Sequence, residues 1–211
     1  MYNQTVLNPI AFAFTIIMCI TILTVRREYI IVPLILLACF ITNMQRISIA
    51  GIDFSMLRII TIIGLVRIAI RRDQLSMTFN SIDKLMVYYS VIRIITYTVL
   101  WSERTAFIFM LGQSLDTLGA YFLIRLAIYD LKEYDTIIKT LIISSIFISL
   151  FMLIEHLAGG RNFFHVFGGV PEISEIRNGR LRAQGAFGHS IMAGTFGATL
   201  LPLSWAIWHR N

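Results

Sequence analysis

Residues 137–157 read IIKTLIISSIFISLFMLIEHL, with Lys139 near the start, Glu155 and His156 near the end, and no other ionisable side chain between them. A helix of this length extends about 32 Å, close to the thickness of a bilayer's hydrocarbon core. Six further apolar stretches lie around it, at about 9–25, 29–42, 56–70, 85–101, 106–129 and 191–208, divided by short polar turns. They leave the 211-residue chain 57% apolar and only 14% charged, with a mean hydropathy of +0.75. Soluble domains carry about 25% charged residues. One globular core has no use for seven apolar runs, whereas a bilayer does. The expected architecture is therefore all-α: a polytopic membrane bundle of about seven transmembrane helices in one transmembrane domain spanning 1–211. Soluble enzymes, nucleic-acid modules and disulfide-rich scaffolds are excluded on this reading. The net charge of +6 is assigned to membrane orientation and not to nucleic acid. Stretches 29–42 and 56–70 are short for a crossing, so they either snorkel their flanking arginines or form an incomplete hairpin.

Orientation follows from the short turns. With the N-terminus outside, the inner turns hold Arg26, Arg27, Arg71, Arg72, Lys84, Lys132 and Lys139, and the outer ones only Arg46 and Arg104. That is a positive-inside bias, and it places the long 158–190 segment outside. This segment contains Gly159, Gly160, Gly168, Gly169, Pro171 and Gly179, which favour turns over a long helix. Cys19 and Cys39 fall inside apolar stretches and read as packing residues, with no metal-site spacing. Residues 1–8 carry no basic residue, so no cleavable signal is read there.

Five charges fall within the apolar stretches: Arg58, Arg67, Arg93, Asp116 and Arg125. An uncompensated charge at mid-bilayer costs roughly 2.5–3.5 kcal/mol on insertion scales. Arg58, Arg67 and Arg125 lie near span ends, where snorkelling relieves them. Arg93 and Asp116 lie about 12 and 15 Å deep, on consecutive antiparallel spans. They are expected to form a buried pair or one wall of a polar cavity.

The stretch Arg177–Gly197 reads RNGRLRAQGAFGHSIMAGTFG. From Arg177 to His189 it holds three arginines, one histidine and no acid. The arginine fork suits bidentate contact with phosphate oxygens. Gly185 and Gly188 allow close backbone approach, and a helix starting near His189–Ser190 adds an anion-attracting end. Arg180, Arg182, Gly185, Gly188 and His189 are thus the candidate binding residues for a membrane-embedded diphosphate, with nonspecific contact to anionic lipid headgroups as the alternative.

Arg182, Gly185, Phe187, Gly188, His189 and Gly194 match R-x-x-G-x-F-G-H-P-x-x-x-G, and here the chain resembles the bacterial O-antigen ligase and O-antigen polymerase family. Apolar hairpins, a third span beginning MLRIITIIGLVR and the Asp83–Leu85 turn are also similar. Ser190 departs from the family's proline, and serine is acceptable there as a cap. The resemblance implies a multi-pass protein of the bacterial inner membrane. Such a protein transfers an oligosaccharide from undecaprenyl diphosphate to a glycan acceptor on the outer face, without cofactor, nucleotide sugar or obligatory metal. Its partners are membrane lipid, the polyprenyl-diphosphate-linked glycan and the acceptor. The family's arginines hold the diphosphate, while the catalytic histidine lies in a later and larger loop. The chain is accordingly expected to be the N-terminal portion of a longer protein, working with a C-terminal half.

His189 reads as a capping or headgroup residue more than as a base. His165 and the Glu155–His156 neighbours read as interfacial, and Trp101, Trp205 and Trp208 as aromatic-belt anchors. Ala193 with Gly197, and Gly194 with Ala198, form small-x-x-x-small pairs that admit another helix. Two other function classes compete: a transporter half in which Arg93, Asp116 and Arg125 line a path, and a non-catalytic scaffold that binds anionic lipid.

Overall fold

The structure is a computed structural model that describes residues 6–42, 44–49, 52–71, 78–128 and 130–210. Short polar residues open its helices. The Asn8 side chain accepts the Ile10 N–H at 2.8 Å, and Pro9 occupies the first turn of α1 (Pro9–Thr24), where its missing N–H costs nothing. A 3-10 turn at Arg27–Tyr29 leads into α2 (Ile31–Phe40). Strands β1 (Arg46–Ile49) and β2 (Ile52–Ser55) form an antiparallel hairpin with Ile49 opposite Ile52, and α3 (Met56–Arg71) follows directly. A capping box between Asn80 and Asp83, both bonds 2.8 Å, opens α4 (Ser81–Trp101). Ser102 closes that helix in the left-handed region at φ 50° and turns the chain into α5 (Arg104–Ala127). Then come α6 (Leu131–Leu157), a minimal hairpin of β3 (Ile176–Arg177) and β4 (Arg180–Leu181), and α7 (Ser190–Arg210).

The protein is mostly helical, 73%, with seven α-helices among the described residues, one in each apolar stretch. Seven full membrane spans are not supported. Among the described residues, two helices, α5 and α6, are long and apolar enough to cross a membrane. With 10 residues, α2 extends about 15 Å, half a hydrocarbon core, and α3 carries Arg58, Arg67 and Arg71 within 16 residues.

The helices pack as a row: α4 on α5, α5 on α3, α3 on α1, α2 against α1 and α6, and α6 on α7. Ala11, Ile22, Leu37, Ile60 and Leu123, all fully buried, form its centre. One end gathers the start of α1, the β1–β2 hairpin and the segment after α6. There Val6 bridges to Arg46, Gln45 accepts the Asn8 N–H at 2.8 Å, and the Thr42 hydroxyl donates to the Gly168 carbonyl at 3.4 Å. The opposite end gathers cations. Arg67 donates to the Val25 carbonyl at 2.5 Å, Arg71 to Leu23 at 2.9 Å and Arg27 to Leu126 at 3.4 Å. Each of these guanidinium groups meets the carbonyl end of a helix, where positive charge is favoured. Arg67 is 2% exposed, so it does not snorkel as expected but is spent on the end of α1.

Burial is distributed unusually. Thr15, Thr61, Arg67, Asp83, Ser144 and Glu155 are buried, whereas Ile92, Ile95, Val99, Ile143, Ile146, Phe147 and Leu150 are exposed on α4 and α6.

Candidate functional site

The 158–190 segment folds onto the end of α6 through one carboxylate. Glu155, in the last turn of α6, is 1% exposed. Its Oε1 accepts the Ser174 hydroxyl and, at 3.0 Å, the Gln184 N–H, while its Oε2 accepts the Gly185 N–H at 3.0 Å. Two successive N–H groups aimed at one anion form a backbone nest. Gly185 turns the chain there at φ 59°, where a side chain would be strained and would press on Met152. Asn162, also buried, ties the same turn from the other side. Its Nδ2 donates to the Gly185 carbonyl and its Oδ1 accepts the Phe164 N–H, both at 2.9 Å. Phe164, 1% exposed, packs its ring against Phe40, Phe151 and Phe163. The Glu155–His156 neighbours therefore separate: Glu155 is a buried anchor and not an interfacial group, and His156 is exposed.

The β3–β4 hairpin stands on this base. Its turn is Asn178-Gly179 at φ 53° and 71°, the pairing that two-residue hairpins favour. Arg177 and Arg180 are direct partners in its register and both are exposed. Like charges facing one another across a ladder are unfavourable, so the hairpin concentrates positive charge at a cost to itself. The half-buried Arg182 follows, its backbone N–H on the Glu175 carbonyl at 3.0 Å.

Of the candidate binding residues, Gly185 does not offer its backbone to a ligand, because Glu155 takes its N–H and Asn162 its carbonyl. Gly188 is exposed with open space where a side chain would stand. His189 caps α7: its Nδ1 accepts the Ile191 N–H at 3.3 Å. His165 bonds the Val170 carbonyl through Nδ1 at 2.9 Å. On α7, Ala193 is buried, while Gly194 and Gly197 face open space.

The structure corrects the expected Arg93–Asp116 pair. Asp116 is held by Arg58, which reaches both carboxylate oxygens through Nε and Nη2 at 2.8 and 2.7 Å. Arg58 also donates to the Asp53 carbonyl, and only a tenth of its side chain is exposed. The reason is neighbourhood: α5 packs on α3 as well as on α4. Gly112 makes the pair possible, since a Cβ there would stand 2.8 Å from Arg58 Nη2. Arg93 instead lies over the Tyr89 ring, 5.4 Å from its centroid, with Met110 Sδ at 3.9 Å. Gly112→Ala is accordingly expected to displace the guanidinium, which Asp116 and Asp53 prevent from moving aside. The loss should be about 1–3 kcal/mol, read as a lower midpoint of thermal unfolding in detergent.

Arg125 also has a carboxylate partner and does not simply snorkel. Its Nε and the Tyr121 hydroxyl both donate to Asp83 Oδ1 at 2.6 Å. Burial raises the Asp83 carboxyl, but the Tyr121 hydroxyl, the Asn80 N–H and Arg125 together hold it below its ordinary value. A cavity of about 310 Å³ lined by Tyr121, Ile124, Arg125 and Ile128 opens here, at the end opposite Arg182.

Compared with known proteins, the chain matches no family, no curated protein and no solved structure.

Proposed function

We propose that this chain is a polytopic inner-membrane protein of the O-antigen ligase/polymerase type, its N-terminus and 158–190 segment on the outer face. In this reading it moves an oligosaccharide from undecaprenyl diphosphate to an acceptor. The observation that carries the reading is the hairpin that sets Arg177 opposite Arg180 and leads directly into Arg182, the residue matching the family motif. Three arginines within six residues suit a ligand with several phosphate oxygens. The apolar outer faces of α4 and α6, over an interior rich in polar groups, suit a lipid surround.

The chemistry asked of these residues is electrostatic. When the bond between the sugar's anomeric carbon and the diphosphate oxygen breaks, negative charge grows on the departing diphosphate. Fixed guanidinium groups lower the energy of that charge. The acceptor hydroxyl forms the new bond and gives up its proton to a base.

The orientation and the ligand are tested separately. A cysteine at Asn178 is expected to react with a membrane-impermeant thiol reagent on intact cells, and one at Lys132 only after permeabilisation. Protection of Asn178 and exposure of Lys132 would defeat the orientation and the proposed site together. For the ligand, the chain in nanodiscs should bind farnesyl diphosphate more tightly than farnesyl monophosphate. Equal binding, or displacement by anionic phospholipid alone, would favour the lipid-binding scaffold.

A further inference from the structure

The sequence suggests that the backbone around Gly185 is free for a ligand's phosphate. In the structure that backbone already holds an anion, and the anion is the protein's own Glu155. We propose that Glu155 is the positioning residue of the diphosphate site: it fills the Gln184–Gly185 nest and thereby fixes where Arg182 stands. The proposal rests on the diphosphate-binding reading of Arg182 given above.

The geometry is a clamp on a short piece of chain. On one side of Arg182, the β3–β4 hairpin ends at Leu181, and the Arg182 N–H is tied to Glu175. On the other side, two residues away, the Gln184 N–H meets Glu155 Oε1. Two residues span at most about 7 Å, so the Arg182 backbone has little freedom while both ties hold. The three groups on Glu155 come from residues 19, 29 and 30 positions further along the chain, so one carboxylate closes the whole segment. Glu155 itself, 1% exposed with both oxygens occupied, is not placed to touch a ligand. Its part in binding runs through Arg182.

A carboxylate is required because every neighbour donates. In Glu155→Gln the side chain keeps its length and volume but replaces one acceptor by an NH₂ donor. Whichever way the amide turns, one N–H of the nest faces another donor. Ser174→Ala is the milder control, since it removes the hydroxyl and leaves both backbone bonds.

The test uses the full chain in nanodiscs, with three readouts for wild type, Glu155→Gln and Ser174→Ala. Far-UV circular dichroism reports the helices, trypsin cleavage after Arg180 and Arg182 reports the segment, and labelled farnesyl diphosphate reports binding. Glu155→Gln is expected to keep its helical signal, to be cleaved severalfold faster and to bind about tenfold more weakly, the equivalent of one charge-assisted contact. Ser174→Ala should change both rates and affinity less than threefold. Cleavage and binding equal to wild type in Glu155→Gln overturn the proposal. So does a loss in Ser174→Ala as large as in Glu155→Gln, which would mean collapse of the pocket and not loss of the nest. Wild-type protein that binds no farnesyl diphosphate overturns the reading of Arg182 instead, and faster cleavage of Glu155→Gln would then mark a purely structural tie.

Discussion

Asp116→Ala is expected to cost about 3–5 kcal/mol, because it leaves the Arg58 guanidinium buried and without its bidentate partner. Against the 5–15 kcal/mol that holds a typical domain together, that loss should empty much of the folded population. The measurement is the yield of monodisperse protein in mild detergent, with thermal unfolding of what is recovered. The double variant Arg58→Met, Asp116→Leu removes both charges and should regain most of the yield, since an apolar pair of similar volume needs no compensation. Arg93→Met is the decisive control. The Arg58 pairing leaves Asp116 satisfied in that variant, so its yield should stay near wild type. A loss in Arg93→Met matching that of Asp116→Ala, with no rescue by the double variant, would refute the assignment of Arg58 as the partner.

The second large effect concerns Arg182. If the proposed function holds, Arg182→Ala and Arg182→Lys should both lose most glycan transfer, assayed in cells. Contacts from a guanidinium to phosphate contribute roughly 1.5–3 kcal/mol each, so one lost contact weakens binding by about one to two powers of ten. Lysine keeps the charge but offers a point donor in place of the fork. Tolerance of lysine would indicate nonspecific attraction to headgroups. Normal transfer by Arg182→Ala at normal expression would remove this residue from the centre of the site.

The helices were legible in the sequence because an apolar run and its polar boundaries are both local. Asn8-Pro9 marks the start of α1, whereas the expected Asp83–Leu85 turn is the first turn of α4, opened by the Asn80…Asp83 box four residues ahead of the apolar run. The shortness of α2 was partly legible, since the 29–42 run was already too brief for a crossing; the 3-10 turn takes Tyr29, Ile30 caps it, and α2 ends at Phe40. The β1–β2 hairpin carried a signal that a membrane reading passes over. Ile47 and Ile49 alternate with Arg46 and Ser48, and Ile52 and Phe54 with Asp53 and Ser55, a period of two on either side of Ala50-Gly51. Asn178-Gly179 between Arg177 and Arg180 is a hairpin signal of the same kind.

The ion pairs were not legible, for a geometric reason. Counting residues gives the depth of a charge in a helix but not the direction in which it points. Nor was the depth right for Arg58: it stands in the first turn of its helix, which counts as shallow, yet the start of α3, set behind the β1–β2 hairpin, lies beside the middle of α5 and brings Arg58 to Asp116. Glu155 was hidden more thoroughly. A glutamate beside a histidine at a helix end looks like ordinary surface, and its partners lie 19 to 30 residues further along the chain.

The half-height of α2 has a consequence for anyone exchanging parts between proteins. Beyond Phe40, where α2 stops, Phe164 meets the Phe40 ring and the Gly168 carbonyl takes the Thr42 hydroxyl, while Phe167 meets Phe14 on α1. Part of what looks in the sequence like an external loop, Phe164 and the turn at Gly168, is therefore packed against the end of α2. Grafting a foreign 158–190 segment onto this bundle would leave α2 without its upper neighbour, and the graft would fold only if Phe14, Phe40, Thr42 and Gln45 were transplanted with it.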